Sequence, residues 1–115
     1  HKTNQMVGPR VADVLRFCES HFALPLSVAQ LAAMMFLSPA RFSEKFTREV
    51  GMPPMSYIRH LRLQRAQSLL RESELSVTQI AQNCGFGDSA QFSKAFRAQF
   101  QISPSDYRRN NRRNT

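Results

Sequence analysis

The chain has 115 residues, 42% hydrophobic and 21% charged, the composition of a globular domain and not of a disordered or fibrous one. Sixteen Lys and Arg against eight Asp and Glu leave a net charge of +8, and thirteen of the sixteen cations are Arg. No apolar run goes beyond Leu31–Leu37, far short of the roughly 20 residues of a membrane span, and no secretory signal opens the sequence.

The predicted elements are all helical. Val11, Val14, Leu15, Cys18 and Phe22 give an amphipathic opening helix after Gly8-Pro9. Ser27 and Gln30 then fit a capping box, in which hydroxyl and amide satisfy orphan N–H groups reciprocally. Val28, Leu31, Ala32 and Met35 follow as one apolar stripe. Ser38-Pro39 places an N-cap before a Pro at the first helical position. Phe42, Phe46 and Val50 recur every four residues, and Gly51 marks a C-terminal stop. The connection between these two helices is only about four residues, that of a helix-turn-helix. Pro53-Pro54 open a long helix that runs to about Arg71. It has Ile58 and Leu61 on one apolar face and Leu63, Ala66 and Leu70 on another. At 1.5 Å per residue this helix spans roughly 27 Å. A connector of that size suits two reading helices set in successive major grooves, ~34 Å apart. Ser76 and Gln79 repeat the capping box, and Val77, Ile80, Ala81 and Cys84 repeat the stripe. Asp88 is the next N-cap, before Phe92, Phe96 and Phe100. A short helix from Pro104 to about Arg109 closes the chain, followed by Arg112 and Arg113.

The sequence repeats itself. Leu26-Ser27-Val28-Ala29-Gln30-Leu31-Ala32 recurs as Leu75-Ser76-Val77-Thr78-Gln79-Ile80-Ala81, at an offset of 49. Phe42-Ser43, Phe46, Pro54 and Tyr57 recur as Phe92-Ser93, Phe96, Pro104 and Tyr107, at an offset of 50. One residue is therefore inserted in the second turn, between about Gly85 and Ser89. Two copies make a duplicated supersecondary unit, not a solenoid. Two positions break the match: Phe36 stands where the second unit has Gly85, and Gln101 where the first has Gly51. If either needs a left-handed backbone, the side chain costs ~1 kcal/mol.

The chemistry of the residues narrows the function. A strongly basic, Arg-rich domain has nucleic acid as its leading partner, ahead of an anionic membrane surface. Cys18 and Cys84 make no disulfide framework, and His1, His21 and His60 stand at no metal-ligand spacing. With no phosphate loop, nucleophile elbow or HExxH, no enzyme, cofactor, metal or nucleotide is implied. The Phe spacing points to core packing, not to stacking platforms for single strands. Met34, Met35, Met52 and Met55 read as gap fillers near the turns.

The ordered motifs resemble the DNA-binding domain of the AraC/XylS family of bacterial transcription regulators. They are Leu26 to Ala32; Ser38-Pro39 with Phe42 and Phe46; Tyr57-Ile58; Arg62-Leu63 with Ala66 and Leu69-Leu70. They continue with Ile80-Ala81, Cys84-Gly85-Phe86, Phe92-Ser93-Lys94 with Phe96, and Ser103-Pro104 with Tyr107-Arg108. The resemblance covers about residues 8 to 109. It implies seven helices forming two homeodomain-like helix-turn-helix subdomains joined by a linker helix. The expected bounds are 8–52, 53–72 and 73–110, with flexible ends at 1–7 and 111–115. It also implies activation, less often repression, of promoters in the bacterial cytoplasm and nucleoid, with RNA polymerase as a further partner and no membrane. An effector or dimerisation domain, usually N-terminal, is the expected missing part, consistent with a start at His1 and not Met.

Helical phase then selects the candidate DNA-binding residues. With Phe42 and Phe46 inward, Ala40, Glu44, Thr47 and Arg48 lie on the opposite face, flanked by Arg41 and Ser43. Arg41 or Arg48 is a reader of guanine, with a phosphate contact the equal alternative for Arg48. Glu44 either accepts from cytosine N4 or pairs with Arg48 at i, i+4; it departs from the longer or basic residues common in the family. Ala40 is small and meets at most a thymine methyl. In the second reading helix Ser89, Ala90, Gln91, Ser93, Lys94 and Arg97 lie outward or near the N-terminal end. Gln91 suits adenine, Lys94 and Arg97 suit guanine or phosphate, and the serines suit phosphate or water. Helix starts at Ser27, Ser38 and Ser76 expose N–H groups to phosphate, whereas the Asp88 carboxylate favours capping alone. Arg108, Arg109, Arg112 and Arg113 are further candidates for the DNA backbone, with a solvated, partly disordered end the leading reading for Arg112 and Arg113. The competing readings are a weakly specific architectural binder, a helical protein-interaction module, and a regulatory appendage of an enzyme.

Overall fold

The structure, a computed structural model, describes residues 10–113; the expected N-terminal tail, the Gly8-Pro9 start and residues 114–115 lie outside them. The described residues form seven helices and no strand. In chain order these are α1 (Val11–His21), α2 (Val28–Met34), α3 (Pro39–Val50), α4 (Pro54–Glu72), α5 (Val77–Asn83), α6 (Ser89–Phe100) and α7 (Pro104–Arg113). The chain divides into two compact units, and the division falls between Arg59 and His60, inside α4.

The first unit takes its helix starts from the expected caps. The Ser27 hydroxyl accepts from Gln30 N–H at 3.2 Å, and the Gln30 amide oxygen accepts from Ser27 N–H at 2.8 Å. The Ser38 hydroxyl accepts from Arg41 N–H at 3.2 Å, with Pro39 at the first helical position. Val11, Val14, Cys18, Leu31, Ala32, Phe42, Phe46 and Ile58 are buried. Leu15, Phe22, Val28, Met35 and Val50 are half-buried at the edge of that set. Phe42 and Phe46 pack at 5.6 Å between ring centroids, and Tyr57 stands edge-on to Phe46 at 5.8 Å. The Tyr57 hydroxyl reaches the Glu19 carboxylate at 3.5 Å.

The second unit repeats this construction. Ser76 and Gln79 close the same box at 3.1 and 2.8 Å, and the Asp88 carboxylate accepts from Gln91 N–H at 2.7 Å. The core is Leu63, Ala66, Leu70, Ile80, Ala81, Cys84, Phe92 and Phe96. Phe92 and Phe96 lie 5.7 Å apart, with Tyr107 edge-on to Phe96 at 5.5 Å. Burial pushes both thiols, Cys18 and Cys84, up to about 11, so each is a protonated, unreactive hydrophobe at neutral pH. All four methionines at 34, 35, 52 and 55 are half-buried, as gap filling requires.

The two turns share one backbone. In the first, Leu37 N–H bonds to Ala32 C=O and Phe36 N–H to Ala33 C=O; in the second, Phe86 N–H bonds to Ala81 C=O and Gly85 N–H to Gln82 C=O. This is a Schellman closure, whose pivot takes left-handed φ. The pivot is Phe36 at φ 57 in the first unit and Gly85 at φ 94 in the second. The C-terminal stops of α3 and α6 match in the same way, with Gly51 at φ 94 and Gln101 at φ 60. Both mismatches seen in the sequence therefore do fall on left-handed positions. Phe86 still matches Leu37 at an offset of 49, while the cap Asp88 matches Ser38 at 50. The inserted residue is Gly87.

The C-terminal arginines are used within the second unit. Arg108 donates to Leu70 C=O at 3.1 Å and to Ser73 C=O at 3.3 Å, closing the end of α4. Arg71 donates to the Tyr107 hydroxyl at 2.8 Å. Arg109 pairs with Asp106, and Arg112 bonds Ser73 C=O and the Glu74 carboxylate. Two expectations are corrected here: α7 runs on to Arg113, past the flexible end expected from 111, and Arg108, Arg109 and Arg112 are engaged at home.

Gln101→Gly is expected to raise the unfolding free energy by about 1 kcal/mol, because glycine carries no left-handed penalty. Arg108→Ala is expected to lower it by about 1 kcal/mol by removing the side-chain donor from Leu70 C=O, while Ser73 C=O keeps Arg112, whereas Arg109→Ala, an exposed i, i+3 pair, stays within about 0.5 kcal/mol. Urea unfolding of the three variants tests both expectations.

Candidate nucleic-acid interface

Each reading helix is oriented by its phenylalanines. Burying residues four apart on α3 fixes the rotation of the helix, and the residues between them are turned to solvent. Ala40, Arg41, Glu44, Thr47 and Arg48 are exposed, and Ser43 is half-buried beside Phe42. On α6, Ala90, Gln91, Lys94 and Arg97 are exposed, and Ser89 and Ser93 are half-buried. The structure thus brings each set of six candidates onto one side of its own helix.

Four charged residues of α3, Arg41, Glu44, Lys45 and Arg48, line one concave patch together with Met35 and Leu37. Lys45 pairs with Glu49 at 2.8 Å along the helix. No such bond joins Glu44 to Arg48, and among the described residues neither Arg41 nor Arg48 is ion-paired. Lys94 and Arg97 on α6 are likewise without an ion pair among the described residues. These four cations are therefore available to an anion without first breaking a protein contact.

The two faces are built alike and labelled differently. At the offset of 50, Ala40 matches Ala90 and Ser43 matches Ser93. Arg41 is replaced by Gln91, Glu44 by Lys94, Thr47 by Arg97 and Arg48 by Ala98. The sign of the charge reverses at the position of Glu44. Two copies of one frame thus present different donor and acceptor patterns.

Gly87 acts on the second face. Its φ is not in the left-handed region, so the backbone does not demand glycine there. A Cβ at this position would meet the Gln91 side chain first, with Oε1 at 3.1 Å and Cδ and Nε2 at 3.4 Å. The Gln91 amide lies back over the inserted glycine instead of extending from the helix. Sequence reasoning named Gln91 but not Gly87. The signal was the change of offset, which locates an extra residue without saying what it touches. Met35 was read only as a stripe residue and gap filler, and Leu37 only as the end of an apolar run, yet both line the patch on α3.

Among the described residues no group of three or more His, Cys, Asp and Glu could hold a metal ion, and no helix is long and apolar enough to cross a membrane.

Two capped, Phe-anchored helix-turn-helix units with outward basic helices define a duplicated helix-turn-helix protein. Comparison with known proteins agrees. Residues 31–110 match the family described as "Helix-turn-helix domain". The chain is 40% identical over 99 residues to the HTH-type transcriptional activator RhaS of Klebsiella pneumoniae (strain 342), and 41% identical over 99 residues to RhaS of Escherichia coli O157:H7. These alignments cover 86% of this chain but 36% of RhaS, so the chain spans about a third of the length of those relatives. Among solved structures, the DNA-binding domain of AdpA, described as the global transcriptional factor and in complex with a target DNA, matches with a TM-score of 0.87. It is 31% identical, and the match covers 90% of this chain and 94% of that one. An AraC-type transcriptional regulator from Chromobacterium violaceum matches with a TM-score of 0.81 at 29% identity, covering 96% of each chain. The chain belongs to the AraC/XylS family of transcription regulators, as a DNA-binding domain of that family.

Gly87→Ala is expected to leave the fold intact, since the contact is with the far end of a flexible side chain. Its effect on stability should stay within about 1 kcal/mol, and alanine at a compatible φ can add to it. In 15N-correlated NMR spectra the Gln91 side-chain amide signals should move while the backbone amide signal of Phe96 stays in place.

Proposed function

We propose that this chain binds a specific duplex DNA site as the reading domain of a bacterial transcription activator, with no catalytic step. The observation that carries this reading is the pair of outward faces. Each presents side chains of the hydrogen-bonding types that discriminate base edges, on a helix whose rotation the core holds. Arg41 reads guanine in the first box, and Arg48 holds a phosphate or a second guanine. Glu44 accepts from cytosine N4. Ala40 and Thr47 meet the groove as small contacts, and Ser43 and Ser93 contact phosphate. Gln91 reads adenine in the second box, with Lys94 and Arg97 on guanine or phosphate. Ser89 and Ala90 sit at the entry of that helix.

The two reading helices occupy successive major grooves. Because the faces carry different residues at four of six matched positions, one chain reads an asymmetric site and not a palindrome. The long α4, with its two apolar stripes, is the linker of the pair. Activation through RNA polymerase, an effector or dimerisation domain elsewhere in a longer protein, and a cytoplasmic location belong to the same proposal; the likeness to proteins named transcriptional activators supports the activator part of it. The net charge supplies the salt-sensitive part of the affinity, and the two faces supply the choice of sequence.

Selection from random duplexes at ~0.15 M salt, a physiological ionic strength, tests the reading. The expected result is an asymmetric motif of two boxes about one helical turn apart. Binding without enrichment, falling steeply as salt rises, would overturn it in favour of a charge-driven architectural binder. Arg41→Ala should relax the selected motif at one position. Arg48→Ala, if its contact is a phosphate, should weaken all sequences alike and reduce the salt slope by about 1.

A further inference from the structure

Phe36 is not accounted for by the fold. It is 84% exposed, whereas the other eight phenylalanines are buried or half-buried. It also holds φ 57, a left-handed conformation that is a genuine outlier for a bulky side chain. Gly85 takes the matching pivot in the second unit and closes it with matching hydrogen bonds. Glycine at 36 would therefore keep the turn and remove both the backbone penalty and the exposed ring. Stability does not explain the phenylalanine, and an unexplained strained position points to a function.

Its surroundings indicate the ligand. Met35 and Leu37, on either side of it in sequence, line the concave patch with Arg41, Glu44, Lys45 and Arg48. Phe36 thus sits in the chain between two residues of the patch that holds Arg41 and Arg48, neither of which has an ion pair among the described residues. The occupant must offer apolar atoms flanked by negative charge. Duplex DNA has this pattern, with deoxyribose carbons and thymine methyl groups set between phosphates. An acidic protein surface shares it, but would have to displace DNA from the face that α3 reads.

We propose that Phe36 packs against apolar atoms of the DNA at the edge of the box read by α3. The ring adds an uncharged contact beside the charged ones of Arg41 and Arg48, and the first unit holds a left-handed phenylalanine to place it there. This rests on the DNA-binding reading above.

The test compares wild type with Phe36→Gly, Phe36→Asn and Phe36→Leu. Glycine and asparagine both accept a left-handed backbone, and leucine keeps apolar area. Each protein is titrated with the selected duplex and with a scrambled one, over a range of salt. Phe36→Gly is expected to melt at a higher temperature than wild type yet bind the selected duplex about five- to tenfold more weakly, with the salt slope unchanged. Phe36→Asn should show the same loss, and Phe36→Leu should stay within about threefold of wild type. A loss on both duplexes assigns the ring to deoxyribose; a loss on the selected duplex alone assigns it to a thymine methyl. Unchanged affinity in the glycine and asparagine variants would overturn the proposal and leave a protein partner, or none, for the ring. A loss accompanied by a shallower salt slope would also overturn it, since the turn would then be placing phosphate contacts. Failure of the DNA-binding reading shows separately, as a wild type that does not distinguish the two duplexes.

Discussion

The aromatic anchor inside each reading helix is the contact on which the rest depends. Phe42 and Phe46, then Phe92 and Phe96, pack at 5.6 and 5.7 Å, and a tyrosine closes each pair edge-on at 5.8 and 5.5 Å. Two buried rings four residues apart leave a helix a single favourable rotation about its axis, because any turn would lift one ring into water at a cost of a few kcal/mol. Holding the inner edge holds the outer edge. Arg41, Glu44 and Arg48 face solvent because of Phe42 and Phe46, not because of anything they touch. The outer residues are then free to differ between units without disturbing the fold.

Duplication has kept the backbone and relaxed the residues. The Schellman pivots and the helix stops recur at matched positions with left-handed φ, yet each pair combines one glycine with one side chain. Hydrogen bonds to the last carbonyls of α2 and α5, and of α3 and α6, close both members of each pair. A turn held by the need to satisfy helix-end carbonyls can carry a strained residue, provided the strain is small against the whole. Phe36 and Gln101 are tolerated on those terms. The single inserted residue, Gly87, falls after the closure and before the cap, where added length disturbs neither hydrogen-bond set.

Net charge proved a coarse guide to the surface. Of the Arg-rich C-terminal stretch, Arg108 closes the end of α4, Arg109 pairs with Asp106, and Arg112 bonds Ser73 and Glu74. Lys45 pairs with Glu49 on α3. Arg41, Arg48, Lys94 and Arg97 on the reading faces have no ion pair among the described residues, which is what a surface kept for an external anion requires. The excess of arginine over lysine serves both uses, since one planar fork suits backbone carbonyls, carboxylates and phosphates alike.

The sequence by itself determined the number and order of the helices, their caps, the duplication and the buried stripes. All of these depend on contacts three or four residues apart or on a repeat visible by inspection. Ser27 with Gln30, and Phe92 with Phe96, are readable because each pair lies within one or two turns of helix. Helical phase carried the same reading outward to the candidate residues. Only the tertiary structure decided which arginines were spoken for, because Arg108 and Arg112 meet partners 35 to 39 residues away. It also decided that Phe36 and Gln101 are left-handed, since the hydrogen bonds that close the helix end, and not the residue at the pivot, set that conformation. The resting place of the Gln91 amide over Gly87 belongs to the same class, as a contact created by a loop whose path no local pattern specifies.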